Sequence, residues 1–289
     1  MDISGKTRVC GVIGDPIEHT LSPTIQNAAF NHLKLDFVFL AFHVKAVELE
    51  NALRGMCGFG IHGLNVTMPH KNAVISHLDE VDSTVQFLGS ANTILNEDGK
   101  LSGFNTDGVG TLNALRENGT KLSEKKVLLL GAGGAAKAIA FALAQEAGEL
   151  VVLNRATEKA EELAERLTGT LGKTVVGCAL SPDVIAENLQ DSDVLINATS
   201  VGMSPDANQS VVPPQLLRSG LTVMDIVYNP VETKLARDAK AAGANVVSGV
   251  EMLIYQGALS FEIWTGRSAP IEVMRKAALK KLSGAGERR

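Results

Sequence analysis

The chain is poor in aromatic residues: one Trp, two Tyr and nine Phe among 289 residues. A core of that size must therefore be built mainly from aliphatic side chains. Cysteine is scarce and odd in number (Cys10, Cys57, Cys178), and no C-x-x-C occurs. That fits a reducing cytoplasm better than a disulfide framework. No apolar run is long enough for a membrane span, and no basic segment followed by an apolar run opens the chain. Positive charge is not in excess, since the formal net charge is −5. That balance disfavours a general nucleic-acid surface. The basic residues near the end (Lys276, Lys280, Lys281, Arg288, Arg289) read as a solvated helix face and a frayed tail. All six histidines (His19, His32, His43, His62, His70, His77) fall in the first 77 residues. Their spacing matches no common metal site, so we expect hydrogen-bonded or surface roles and no metal.

What is present is a nearly unbroken alternation of strand and helix patterns, the signature of α/β architecture. Strands are expected at Arg8–Ile13, Phe37–Val44 and Ile61–Val66, and a hairpin at Asn92–Leu95 and Leu101–Phe104 around Glu97-Asp-Gly-Lys100. Helices are expected from Ser22-Pro23 to about Leu33 and over about Lys45–Met56. A second series starts near Asp107, with a helix over about Gly108–Glu117. Its strands are Lys126–Leu130, Leu150–Leu153, Val175–Cys178, Val194–Ile196, Leu221–Ile226 and Asn245–Val247. Between them lie an Ala-rich helix to about Ala147 and a charged helix over Glu158–Leu167. Two final helices, Glu251–Thr265 and Pro270–Leu282, have no strand between them.

Three groups of residues carry chemistry. The first is Gly63-Leu-Asn-Val-Thr-Met-Pro-His-Lys71, read as a strand, a turn and then a helix with Pro69 in its first turn. The turn gathers Asn65, Thr67 and Lys71 at one strand end, where an amide, a hydroxyl and an ammonium suit a small polyhydroxylated anion. Asn92, and Asn105-Thr-Asp107-Gly at the hinge between the two series, add polar groups at further strand ends. Lys71 and Asp107 are expected to form an ion pair. Reducing a ketone by hydride leaves an alkoxide that needs a proton or a nearby cation, and a Lys ammonium supplies either.

The second group is Val127-Leu-Leu-Leu-Gly131-Ala132-Gly133-Gly134-Ala135-Ala136, a strand, glycine turn and helix that fit G-x-G-x-x-G/A. The glycines permit a tight turn and close approach of a pyrophosphate, which the helix N-terminus then binds. The third is the end of the next strand, Leu153-Asn154-Arg155. An NAD site usually carries Asp or Glu there. An arginine, with Lys159 one turn on, instead suits the 2′-phosphate of NADP.

These motifs together resemble the shikimate/quinate dehydrogenase family from end to end. The resemblance is carried by Gly14-Asp-Pro-Ile-Glu-His19-Thr20-Leu-Ser22-Pro23, Asn65-Val-Thr67-Met-Pro-His-Lys71, Asn92-Thr, Asn105-Thr-Asp107-Gly, Gly131-Ala-Gly-Gly-Ala-Ala, Asn154-Arg155, Asn197-Ala-Thr199-Ser-Val-Gly-Met203 and Gly249-Val-Glu-Met252-Leu-Ile-Tyr-Gln256. It implies an N-terminal α/β substrate domain (1–106) and a Rossmann-type doubly wound NADP-binding domain (107–249). The C-terminal helices (250–289) return to the first domain. It further implies NADPH-dependent reduction of 3-dehydroshikimate to shikimate, in the route to chorismate and aromatic amino acids.

By the same resemblance Thr20 and Ser22 hold the substrate carboxylate, and Lys71 and Asp107 are the catalytic pair. Asn65, Thr67, Asn92 and Gln256 line the substrate hydroxyls, and Tyr228 lies near the nicotinamide. The cofactor set is Gly131, Ala132, Gly133, Gly134, Ala135, Asn154, Arg155, Lys159, Thr199, Val227, Gly249 and Met252. The family pattern usually has Ser at position 20 and, for NADP, Thr at position 156, where this chain has Thr20 and Ala156. Other readings are a quinate/shikimate dehydrogenase working with NAD and a non-catalytic NADP-binding sensor of the same fold. Monomer or homodimer is the expected assembly, with no nucleic-acid or membrane partner.

Overall fold

The structure, a computed structural model, describes residues 3–284, so Arg288 and Arg289 lie outside it. Two compact units divide the chain, one running to Thr106 and resuming at Ile254, the other Asp107–Leu253.

The first unit holds β1 (Arg8–Gly14), α1 (Ser22–His32), β2 (Phe37–His43), α2 (Leu49–Gly58), β3 (Gly63–Val66), β4 (Glu80–Val81), α3 (Ser83–Leu88), β5 (Thr93–Glu97) and β6 (Lys100–Phe104). Its sheet runs β2-β1-β3-β5-β6-β4. β1 is parallel to β2 and β3, while β5 is antiparallel to both β3 and β6. The carboxyl ends of β1, β3 and β6 and the start of β5 therefore share one edge of the sheet. The β5–β6 hairpin forms as the sequence predicts, with Asp98 and Gly99 both at positive φ in its turn, the conformation a two-residue hairpin needs.

One face of this sheet packs Leu64, Val66, Ile94, Leu53, Met56 and Val85 into an aliphatic cluster. The few aromatics gather elsewhere in the same unit: Phe30 stacks on Phe37 and on Phe261, with ring centroids 5.1 and 5.2 Å apart. The core of the first unit is thus mainly aliphatic, as expected, with a small stack of Phe rings beside it.

The second unit opens with α4 (Asp107–Glu117), then β7 (Lys126–Leu130), α5 (Gly134–Glu146), β8 (Glu149–Asn154), α6 (Thr157–Leu171), β9 (Val175–Ala179), α7 (Pro182–Leu189), β10 (Val194–Asn197), β11 (Thr222–Asp225), α8 (Lys234–Ala241) and β12 (Asn245–Val247). Its sheet order is β12-β11-β10-β7-β8-β9, with all pairs parallel. The chain winds outward from β7 in one direction and, from β10, in the other. This is the doubly wound dinucleotide-binding topology, with its switch point between β7 and β10. The core around Leu128, Leu130, Val151, Leu153, Leu195 and Val223 is aliphatic throughout, as strands buried on both faces require.

α9 (Gly249–Thr265) starts in the second unit and ends in the first, and α10 (Ile271–Gly284) follows it. Within the first unit the buried Gln26 on α1 donates from Nε2 to the Gly257 carbonyl at 2.8 Å. The final helices thus return to the first unit, as the resemblance implies.

The helix expected to start at Pro69 does not form. The Met68–Pro69 peptide is cis and sits in a turn closed by His70 N–H on the Thr67 carbonyl at 2.9 Å. A 3₁₀ helix, Ala73–His77, follows. Leu78 is already extended, so the segment is too short for α-helix and closes with the shorter 3₁₀ bonds. The helix expected from Lys45 likewise begins as a 3₁₀ turn, Ala46–Glu48, before α2.

Candidate functional site

In the first unit the predicted substrate residues collect at the shared sheet edge. Gly14 ends β1, and Asp15 N–H bonds the Met68 carbonyl at 3.0 Å, so the loop after β1 is tied to the turn after β3. That loop carries two neighbouring hydroxyls: Thr20 Oγ1 donates to Ser22 Oγ at 3.2 Å, and Ser22 N–H returns a bond to Thr20 Oγ1 at 3.2 Å. Ser22 opens α1, whose N-terminus has no side-chain cap from its N-cap residue Leu21 and carries Pro23, which has no N–H, in its first turn. Two neighbouring hydroxyls beside a helix start suit a carboxylate.

The turn after β3 is fixed from behind. Thr67 N–H bonds the Ile13 carbonyl at 3.0 Å, and the buried His70 bonds the Val44 carbonyl through Nε2 at 2.7 Å. The Lys71 carbonyl accepts from Ala91 N–H at 2.8 Å, which leaves the partly buried Lys71 side chain at the same edge. His62 bonds the Trp264 carbonyl at 2.8 Å and His43 meets Asp15 at 2.7 Å. These three histidines are hydrogen-bonded, as expected.

Asn65 and Asn92 belong to one buried polar network. Asn65 Nδ2 lies 3.2 Å from the Asn92 carbonyl, 3.2 Å from Thr93 Oγ1 and 2.9 Å from Ser260 Oγ. Asn92 Oδ1 accepts Thr106 N–H at 2.9 Å, and its Nδ2 donates to Thr106 Oγ1 at 2.9 Å. Asn105 spends Nδ2 on the Ser90 carbonyl at 3.0 Å, which serves the fold. Asp107 follows Thr106 in the chain as the first, buried residue of α4, at the start of the second unit. Gln256 lies on the α9 turn that precedes Ser260, whose Oγ reaches the Gln256 carbonyl at 3.1 Å. Thr93 and Ser260 were missed by sequence reasoning. The signals were there: Thr93 pairs directly with Asn65 across β3–β5, and Ser260 is one turn beyond Gln256.

In the second unit the glycine turn leaves β7 at its switch-point end. Gly131 has φ +112°, and a Cβ there would stand 2.8 Å from the Ala198 carbonyl oxygen. Only glycine is free of that clash and of the backbone strain. Gly133 and Gly134 differ: a Cβ on either meets nothing within 4 Å. That open space lies at the N-terminus of α5, whose cap residue, Gly133, makes no side-chain bond. Ala132 and Ala135 complete the turn. Its shape and donors fit a dinucleotide pyrophosphate.

At the tip of β8, Arg155 is exposed and Lys159 is exposed one turn along α6. Among the described residues neither side chain has a partner. No carboxylate stands at the tip before Glu158, so the residues present fit a 2′-phosphate.

Beyond β10 and β11 a second buried network appears. Thr199 Oγ1 donates to Asn197 Oδ1 at 2.7 Å, Asn197 Nδ2 to Asp225 Oδ1 at 2.9 Å, and Thr233 Oγ1 to Asp225 Oδ2 at 2.6 Å. Val227 N–H also bonds Asp225 Oδ1 at 3.2 Å. Burial pushes the Asp225 carboxyl above its usual range, against the pull of its three donors. Sequence reasoning missed Asp225 and Thr233. Gly249 starts α9 where a Cβ would be 2.6 Å from the Ile226 and Val227 carbonyl oxygens. Met252 is buried one turn on. Burial also pushes the Tyr228 hydroxyl up.

Comparison with known proteins accounts for nearly the whole chain. The model of the shikimate dehydrogenase substrate binding domain matches residues 12–94, and that of shikimate/quinate 5-dehydrogenase matches 113–237. The shikimate 5'-dehydrogenase C-terminal domain matches 249–279. The shikimate dehydrogenase (NADP(+)) of Methanopyrus kandleri is 48% identical over 286 residues, 98% of each chain. A shikimate dehydrogenase solved with NADP+ superposes with a TM-score of 0.91 at 42% identity, covering 97% of this chain and 98% of that one. The Listeria monocytogenes shikimate 5-dehydrogenase, solved with shikimate and NAD, gives a TM-score of 0.90 at 35% identity, covering 96% and 98%. The chain belongs to the shikimate dehydrogenase family.

Proposed function

We propose that this member of the shikimate dehydrogenase family interconverts 3-dehydroshikimate and shikimate with NADP as its cofactor. The observation that carries the reading is the composition of one sheet edge. A hydroxyl pair stands between β1 and the start of α1, while an amide on β3 is followed by a hydroxyl and an ammonium in the turn after it. The first pair suits a ring carboxylate and the second set suits ring hydroxyls and a ketone oxygen.

Thr20 and Ser22 bind the carboxylate through their hydroxyls. Asn65, Thr67, Asn92 and Gln256 bind hydroxyls. NADPH, when bound, supplies the hydride that adds to the ketone carbon. As the carbon–oxygen π pair moves onto oxygen, the Lys71 ammonium meets the developing charge and supplies a hydrogen bond there. Asp107 orients Lys71 and a substrate hydroxyl. The alkoxide is protonated from solvent by way of the Lys71 hydrogen bond, and in the reverse direction the hydroxyl proton returns to solvent by the same route as hydride leaves the carbon. Thr20 and Ser22 serve the carboxylate, which leaves Lys71 for the carbonyl oxygen.

Gly131 to Ala135 and the start of α5 hold the pyrophosphate, and Arg155 with Lys159 holds the 2′-phosphate. Thr199, Val227, Gly249, Met252 and Tyr228 shape the nicotinamide end. Arg155 in place of an acid argues against the quinate reading with NAD. The presence of both Lys71 and Asp107 argues against a sensor without turnover. The three cysteines, all unpaired, suit the reducing cytoplasm, where we place the reaction.

Purified protein with shikimate and NADP should form one NADPH per 3-dehydroshikimate, measured by chromatography. Turnover with quinate and NAD but not with this pair would overturn the proposal.

A further inference from the structure

The Asn65 network carries an inference about how the substrate is read, and it rests on the proposed function. Asn65 is 7% exposed and Thr93 and Ser260 are fully buried. The orientation of the Asn65 amide follows from its surroundings. The Asn92 carbonyl, 3.2 Å away, can only accept a hydrogen bond, so the atom facing it must be nitrogen. Thr93 Oγ1 at 3.2 Å and Ser260 Oγ at 2.9 Å offer lone pairs to the same nitrogen. Their own protons have other acceptors: Asn92 Oδ1 lies 3.0 Å from Thr93 Oγ1, and the Gln256 carbonyl 3.1 Å from Ser260 Oγ. The two hydroxyls also touch each other at 2.8 Å. Turning the amide over would set oxygen against the Asn92 carbonyl, an acceptor against an acceptor. The Asn65 Oδ1 is thus held away from all three partners, and among the described residues it has no hydrogen-bond donor.

We infer that Thr93 and Ser260 are positioning residues that lock the Asn65 amide with its oxygen outward, so that Asn65 reads a hydroxyl proton of the substrate. Neither residue touches substrate. Ser260 also ties this lock to the Gln256 carbonyl on α9, so two hydroxyl-reading residues share one buried support.

The test uses the full chain with NADP and shikimate, comparing Ser260→Ala, Thr93→Val, Thr93→Ser and each in an Asn65→Ala background. Ser260→Ala and Thr93→Val should each raise the shikimate KM about fivefold to tenfold. Their kcat should stay within about twofold, with the NADP KM unchanged. Thr93→Ser keeps the hydroxyl and should restore the wild-type KM. In the Asn65→Ala background neither change should add anything. Additive effects, or an unchanged shikimate KM, would overturn the inference. A second readout needs no turnover: the Asn65 side-chain amide protons, followed by NMR, should exchange slowly in the wild type and faster in Ser260→Ala. Equal exchange in both would also overturn it. If the wild type does not turn over shikimate, the proposed function falls, and amide exchange then decides on the lock alone. Thr93→Val carries the same comparison if Ser260→Ala does not fold.

Discussion

Asn154 at the end of β8 and Ala132 in the glycine turn after β7 are joined directly: Ala132 N–H donates to Asn154 Oδ1 at 3.2 Å. The same amide donates from Nδ2 to the Ala156 carbonyl at 2.9 Å. Asn154 therefore ties the Gly131 turn to the segment that opens α6, and in the proposed reading the choice between NADP and NAD falls to Arg155. Arg155→Ala should raise the NADP KM by roughly tenfold to a hundredfold, the worth of charge-assisted bonds to a phosphate. The NAD KM should change much less. Parallel initial-rate measurements with both cofactors check this, and equal losses would show that Arg155 does not meet the 2′-phosphate.

Lys71 should matter most as charge develops on the ketone oxygen. Lys71→Ala is expected to lower kcat by about a hundredfold or more, with a small change in shikimate KM. A variant that keeps the wild-type rate would remove Lys71 from the chemistry.

Asp225 accepts from Thr233, Asn197 and Val227. Asp225→Asn sets an NH₂ group against these donors and should cost about 1–3 kcal/mol in urea unfolding. It should also raise the NADP KM, because the Thr199 loop and Val227 lose their common anchor. A pH dependence follows from burial, which holds this carboxyl above its usual range. The folded chain keeps the proton to higher pH than the unfolded chain, whose value is about 3.9. Between the two pKa values the folded state binds more protons, so this group's contribution to stability falls as pH rises through that interval. Stability against pH, compared between wild type and Asp225→Asn, should show that slope only in the wild type.

Asn65→Asp is nearly isosteric yet replaces a donor by an acceptor opposite the Asn92 carbonyl. It should destabilise the fold by about 1–3 kcal/mol and raise the shikimate KM. A stable Asp variant with unaltered KM would mean that the network orients nothing.

The long elements were legible in the sequence because each repeats its period several times. β7, the Gly131 turn and α5 were read almost to the residue, and so was the β5–β6 hairpin through its Asp98-Gly99 turn. The short elements were not. α3, α7 and α8 have six to eight residues, too few for a helical period to stand out. Their N-caps Asp82, Ser181 and Thr233 each accept a backbone N–H, a signal that was present but brief. The Pro69 turn departs from the expected helix because proline suits both a first helical turn and a tight turn. The polar residues proposed to meet substrate stand in motifs that the sequence shows. Thr93, Ser260 and Asp225 are harder to single out, because their hydrogen bonds depend on pairing across strands and on elements distant in sequence.

The central claim is best tested by initial rates of cofactor reduction at the NADPH absorbance band, with shikimate or quinate and NADP or NAD in all four combinations. The highest kcat/KM is expected for shikimate with NADP. A higher value for quinate with NAD, or no reduction in any combination, would contradict the account.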